Sequence, residues 1–133
     1  MNLYGVWVDY AHAFLVKTNP SGENMTIHEL VSEVEPHHHS GQSDGEHLTL
    51  TDQGSNMRRR SKEMDDFCDN IISSLRDADE IIILGPGIAK SELEGEIREH
   101  HELGPKLKAV ETADKLSEEE LKKRVSKLFH LPR

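Results

Sequence analysis

Gly41 and Gln42 lie in the run Pro36-His37-His38-His39-Ser40-Gly41-Gln42-Ser43 and offer the most specific chemistry in this chain. A glutamine amide has both a donor and an acceptor, so it can orient a water molecule without supplying a proton at neutral pH. The adjacent glycine lets a backbone approach a ligand closely. Downstream, Arg58, Arg59 and Arg60, with Lys62, concentrate positive charge at the expected start of a helix. Cations there oppose the helix dipole and so ask for an anionic partner, for which phosphate is suited. A glutamine in a polar loop followed by these cations points to a substrate bound to RNA. A third group is Gly85-Pro86-Gly87 with Lys90, between an expected strand and an expected helix. Free amides at a helix N-terminus can hold an anion, which makes Gly85, Gly87 and Lys90 candidate anion-binding residues. The pattern is neither a dinucleotide fingerprint nor a P-loop, and a tight strand-to-helix turn accounts for the same residues.

Two further groups have the residue types for metal chemistry. His37, His38 and His39, with Asp44, Glu46 and His47, include enough ligands for zinc or nickel. Adjacent histidines in an extended segment point to opposite sides, so the three do not simply converge, and a polar loop that gains charge as pH falls is the plainer reading. Asp9 ends the first expected strand, where a metal-dependent nuclease would keep a carboxylate. Two-metal hydrolysis needs several converging acids, and the run Leu84-Gly85-Pro86 brings none to join it. A turn residue is the expected role of Asp9. No metal site and no cofactor are assigned.

Composition narrows the classes. The chain has 133 residues, with 16 Lys plus Arg against 25 Asp plus Glu and a formal net charge of -9. That length suits one domain over residues 1–133 with a real core. The acidic balance excludes wholesale coating by nucleic acid, so any RNA contact must be local. The single cysteine, Cys68, cannot form an intramolecular disulfide and fits a reducing compartment. No charged-then-apolar leader opens the chain and no apolar run approaches the roughly 20 residues that span a bilayer. A soluble, cytoplasmic protein is the expectation.

These candidates have to be positioned by the elements around them. Leu3 to Asp9 and His12 to Thr18 are rich in β-branched and aromatic residues and close enough for a tight hairpin, with Asn19-Pro20-Ser21-Gly22 as the turn that follows. Met25 to Val34 alternates in part and predicts a third strand. Residues 35–55 hold almost nothing apolar except Leu48 and Leu50 and read as a long polar loop. Met64, Phe67, Cys68, Ile71, Ile72 and Leu75 then recur at helical spacing, so a helix is predicted over Met57 to Arg76. Ile81 to Leu84 has the continuous aliphatic pattern of a strand buried on both faces. Ile88, Leu93 and Ile97 mark a shorter helix ended by Gly104-Pro105, and Leu107 to Val110 a last strand. Ser117 and Glu120 form a capping box that opens a helix through Leu121, Val125, Leu128 and Phe129. The order βββαβαβα, with right-handed crossovers, gives an α/β fold with a mixed five-stranded sheet, the ribonuclease H-like architecture.

On this order, on Ser40-Gly41-Gln42-Ser43, on Arg58-Arg59-Arg60 and on Leu84-Gly85-Pro86-Gly87-Ile88-Ala89-Lys90, the chain resembles the middle domain of archaeal and eukaryotic class 1 peptide-release factors. It looks more closely like the bacterial proteins related to them. The resemblance covers roughly Tyr4 to Phe129. It implies a ribosome-associated translation factor whose loop enters the peptidyl-transferase centre, with rRNA and peptidyl-tRNA as partners. Gly41 would permit close approach and Gln42 would orient the water that attacks the peptidyl-tRNA ester, with Arg58, Arg59, Arg60 and Lys62 on RNA. Hydrolysis would then depend on positioning in a site made mostly of RNA, so the protein alone should be inert. Ser40 stands where the family has its first glycine, and the acidic Asp44 and Glu46 follow. The domains that read a stop codon or recruit a GTPase are not in this sequence. The resemblance therefore implies an accessory or rescue role, or a relative without hydrolysis. The rival from another class is a non-catalytic anion- or protein-binding module of the same fold that uses the Gly85 to Gly87 turn.

Overall fold

The computed structural model describes residues 1–32 and 50–132, and over 50–61 the backbone alone. Five strands, β1 (Leu3–Val8), β2 (His12–Thr18), β3 (Thr26–Val31), β4 (Glu80–Gly85) and β5 (Leu107–Thr112), form one sheet in the order β3-β2-β1-β4-β5. The β1–β2 and β2–β3 pairs are antiparallel, and β1–β4 and β4–β5 are parallel. With helices α1 (Leu50–Ser74), α2 (Ala89–Arg98) and α3 (Glu118–Leu128), this is the mixed α/β, ribonuclease H-like fold.

The central strands are buried on both faces, and their alternation sorts side chains into two cores. Tyr4, Val6 and Val8 of β1 and Ile81 and Ile83 of β4 join Phe67, Cys68, Ile71 and Leu75 of α1 and Leu93 and Ile97 of α2. On the other face Trp7, Val16, Ile82 and Leu84 pack with Leu121 and Val125 of α3. Helices α1 and α2 therefore cover one face and α3 the other. The Trp7 indole N–H donates to the Ala113 and Asp114 carbonyls at 3.1 and 3.2 Å, which satisfies its polar atom inside the α3 core.

The hairpin and the caps follow the local chemistry of their residues. Asp9 Oδ1 accepts from the backbone amides of Ala11 and His12 at 2.8 and 2.7 Å, so the carboxylate builds the β1–β2 turn. The Ser117 amide donates to Glu120 Oε1 at 3.0 Å and the Glu120 amide to Ser117 Oγ at 3.2 Å, which closes the capping box. At its other end α3 finishes in a Schellman motif. Leu131 N–H donates to the Ser126 carbonyl and His130 N–H to that of Lys127, with His130 in the left-handed region at φ 58°.

Several boundaries differ from the expectation. Helix α1 begins at Leu50, not Met57, so residues 50–55 belong to a helix and not to the polar loop over 35–55. Residues 51–56 carry no apolar side chain, so periodicity had nothing to mark, whereas a helix nucleated by a packed segment extends at little cost per residue. Arg58, Arg59 and Arg60 consequently lie eight or more residues inside α1, beyond two turns at about 3.6 residues each. The helix-start argument for an anion at these arginines fails, because the dipole effect fades within the first turn. Strand β3 is described over Thr26–Val31, and Val34 lies outside the described residues. Helix α2 ends at Arg98, and Gly104-Pro105 opens a separate 3-10 turn over Gly104–Lys106. Its buried stripe is Ala89, Leu93 and Ile97, whereas Ile88 is 65% exposed.

Candidate functional site

The parallel pair β1–β4 places Val8-Asp9 and Gly85-Pro86-Gly87 side by side at the carboxyl edge of the sheet, where open α/β sheets tend to bind ligands. Gly85 has φ 155°, and a Cβ there would collide with the Val8 carbonyl oxygen, so only glycine permits this closure between the strands. Gly87 is left-handed, at φ 63°, with open space where a Cβ would point. Gly85, Gly87 and Lys90 do come together. The Lys90 ammonium, however, donates to the Gly87 carbonyl, so an anion would have to share it. Ile88 at the helix N-cap offers no side-chain hydrogen bond, and Glu92 places a carboxylate in the first turn. Asp9 is spent on the hairpin, which removes the carboxylate a nuclease site would need at this edge.

Gly41 and Gln42, with His37, His38, His39, Asp44, Glu46 and His47, lie outside the described residues. Their segment joins Val31 of β3 to Leu50 of α1, so its two attachment points are defined. The backbone of Arg58, Arg59 and Arg60 lies in α1. One turn on, Lys62 is exposed and pairs with Asp66 at 3.3 Å. Such an i,i+4 pair is worth a few tenths of a kcal/mol and would yield readily to phosphate.

Acid gathers on the α1–α2 face. Asp65, Glu92, Glu96 and Glu99 line a shallow cleft with Ser91 and Gly95. Burial, together with Asp65, Glu99 and Asp69, pushes the Glu96 carboxyl above its ordinary range. Beneath it the Cys68 thiol is pushed up to about 12, first by burial and then by Glu96, Glu92, Asp65 and Asp69. Burial and the surrounding carboxylates thus both disfavour the thiolate, the nucleophilic form of the residue.

The opposite face carries a feature that the sequence reading missed. Lys122, Lys123 and Lys127 of α3, with Ser126 and His130, form one side of a groove of about 790 Å³. Gly22 and Met25 close its other side from the β2–β3 connection, and among the described residues no carboxylate lines it. The signal was present as the polar stripe at 122, 126 and 130, opposite the apolar stripe at Leu121, Val125 and Leu128. The apolar stripe by itself places the helix and leaves the groove unmarked.

No family model matches the chain, and no curated protein matches it. Among solved structures it resembles Pelota from Archaeoglobus fulgidus, with a TM-score of 0.57 at 14% identity, over 97% of this chain and 33% of that one. Against Pelota from Thermoplasma acidophilum the TM-score is 0.50 at 19% identity, over 90% of this chain and 30% of that one. The archaeal translation termination factor aRF1 overlaps 86% of this chain and 31% of its own at 16% identity, and its TM-score of 0.48 adds no weight. The chain spans about a third of the length of these structures, and at such identities the likeness is one of fold.

Proposed function

We propose that this chain is a translation-factor-like protein that works on the ribosome in release or rescue, as a single domain comparable to one domain of Pelota. The observation that carries the reading is the overlap of 97% of this chain with a third of Archaeoglobus fulgidus Pelota, with the elements in the order βββαβαβα expected from the sequence. The chemistry of the β3–α1 segment supports it. That segment holds Ser40-Gly41-Gln42, suited to approach an ester closely and orient water against it. In this reading Gln42 positions the attacking water on peptidyl-tRNA, Gly41 allows the approach, and Arg58, Arg59, Arg60 and Lys62 meet rRNA. Most of the catalytic site is then ribosomal, and the protein hydrolyses nothing alone.

The test has two stages. Wild-type protein should sediment with 70S or 80S ribosomes in a salt-sensitive manner. Gln42→Ala should sediment equally well but lose peptidyl-tRNA release by about 100-fold or more, the scale for removing one preorganised polar group. Absence of ribosome binding even at low salt sinks the reading. Undiminished release by Gln42→Ala removes the catalytic part.

A further inference from the structure

We propose that the lysine-lined groove of α3 is an RNA phosphate-backbone site, and that the α3 face, not the α1–α2 face, is the side this protein turns toward RNA. The inference deepens the translation-factor reading by naming its RNA-binding surface. It can stand or fall separately.

Three observations carry it. Lys122, Lys123 and Lys127 come from one helix turn and a half and line a single groove, and among the described residues no carboxylate lines it and none of the three lysines is within ion-pair distance of an acid. Surface lysines in a chain of net charge -9 would ordinarily be interleaved with acids. Six of the acids gather elsewhere: Asp65, Asp66 and Asp69 lie on α1, and Glu92, Glu96 and Glu99 on α2. Those helices pack on the opposite face of the sheet from α3. With each helix packed about 10 Å from the sheet, the two charge layers are on the order of 20 Å apart. That is more than two Debye lengths at physiological salt, about 8 Å each, so the acidic face scarcely weakens the attraction of the groove for an anion. The nearer acids are Glu118, Glu119 and Glu120 in the first turn of α3, where the capping box holds Glu120 against Ser117 although its charge still reaches Lys123, and Glu23 between Gly22 and Met25.

The shape of the groove favours a backbone over a lone anion. Lysine ammonium groups are flexible point charges that suit successive phosphates along a strand. The Ser126 hydroxyl and the His130 ring stand among them, and Met25 and Leu131 give the floor apolar surface on which a base or ribose can rest. The Schellman bonds at Lys127 and Ser126 keep two of the last helix carbonyls satisfied, so these do not compete for the lysines.

The test is binding of a labelled single-stranded RNA of about 12 nucleotides to the full chain across a salt series. Three phosphate contacts at about 0.7 per contact give a salt slope of about 2.1, an affinity loss of about 18-fold between 50 and 200 mM salt. The Lys122→Gln/Lys123→Gln/Lys127→Gln variant should lose that salt dependence and bind at least about 10-fold more weakly at the lower salt. The corresponding triple Lys→Arg variant should bind as wild type, which separates loss of charge from loss of fold. Undiminished binding by the Gln variant, or its full transfer to an Arg58→Gln/Arg59→Gln/Arg60→Gln variant, overturns the proposal. So does displacement of RNA by a polyglutamate peptide at equal potency, which would make the groove a general polyanion site. Sedimentation with ribosomes that is unaffected by the Gln variant removes the groove and leaves the translation reading. Groove-dependent RNA binding without ribosome binding does the reverse.

Discussion

Replacing Gly5 by alanine tests how closely α3 is seated on the sheet. Gly5 lies at the centre of β1, opposite Val16 on β2 and Ile82 on β4, and faces α3. A Cβ there would stand 2.5 Å from Val125 Cγ2 and 3.2 Å from Cγ1. Carbon atoms prefer about 3.5–4.0 Å, so relief requires a shift of roughly 1 Å. A helical valine is largely confined to one rotamer, so the shift falls on the helix. Overpacking of this kind costs about 1–3 kcal/mol. Val125 is fully buried, and Val125→Ala should cost about 2–3 kcal/mol through two lost methyl groups and the space they leave. In the double variant the new Cβ occupies that space. The two costs should therefore fail to add by about 1–2 kcal/mol, leaving Gly5→Ala/Val125→Ala close in stability to Val125→Ala alone. Urea unfolding of the four proteins with a common m-value measures the coupling. Additivity within about 0.5 kcal/mol would refute the close seating of α3 on Gly5.

The two glycines of the β4–α2 turn should respond differently. Gly87→Ala, left-handed in open space, should cost about 1 kcal/mol. Gly85→Ala should cost about 3 kcal/mol or more, because it adds a collision with the Val8 carbonyl to a glycine-only backbone. Equal losses in a urea comparison would contradict the β1–β4 closure. The pH dependence of stability should show Asp77. Its carboxylate accepts from the Tyr4 hydroxyl at 2.7 Å and from Lys17 Nζ at 3.0 Å, and these bonds hold it below the ordinary aspartate value of 3.8. A depressed folded-state value gives stability that is fully present above the unfolded value and is lost as pH falls below it through the folded value. The stability gap between wild type and Asp77→Asn should therefore be constant above about pH 5 and shrink below about pH 4. A gap that does not change with pH would remove the ionised carboxylate from the account.

Much of the fold could be read from short-range patterns. Ile81 to Leu84 were legible as a strand buried on both faces, and Ser117 with Glu120 as a helix start, because each depends on residues within a few positions of one another. Asp9 was legible as a turn residue for the same reason. The start of α1 was not, since residues 51–56 carry no apolar spacing. Nor was the exposed position of Ile88, because Ala89 takes the inward place in α2. Of the site candidates, Lys90 lies against the Gly85 to Gly87 turn, and its bond to the Gly87 carbonyl is a contact that no spacing in the sequence reveals.

By itself the sequence determined the elements, their order and the resulting sheet, because strand period, helix period and caps are local properties of the chain. Tertiary structure decided which charges share a surface. Lys122 meets Gly22 across the groove although a hundred residues separate them, and the acids of α1 and α2 are gathered on the far side of the sheet. Neither arrangement is present in any window of sequence, because both arise only when the two faces of β1 and β4 are buried under different helices.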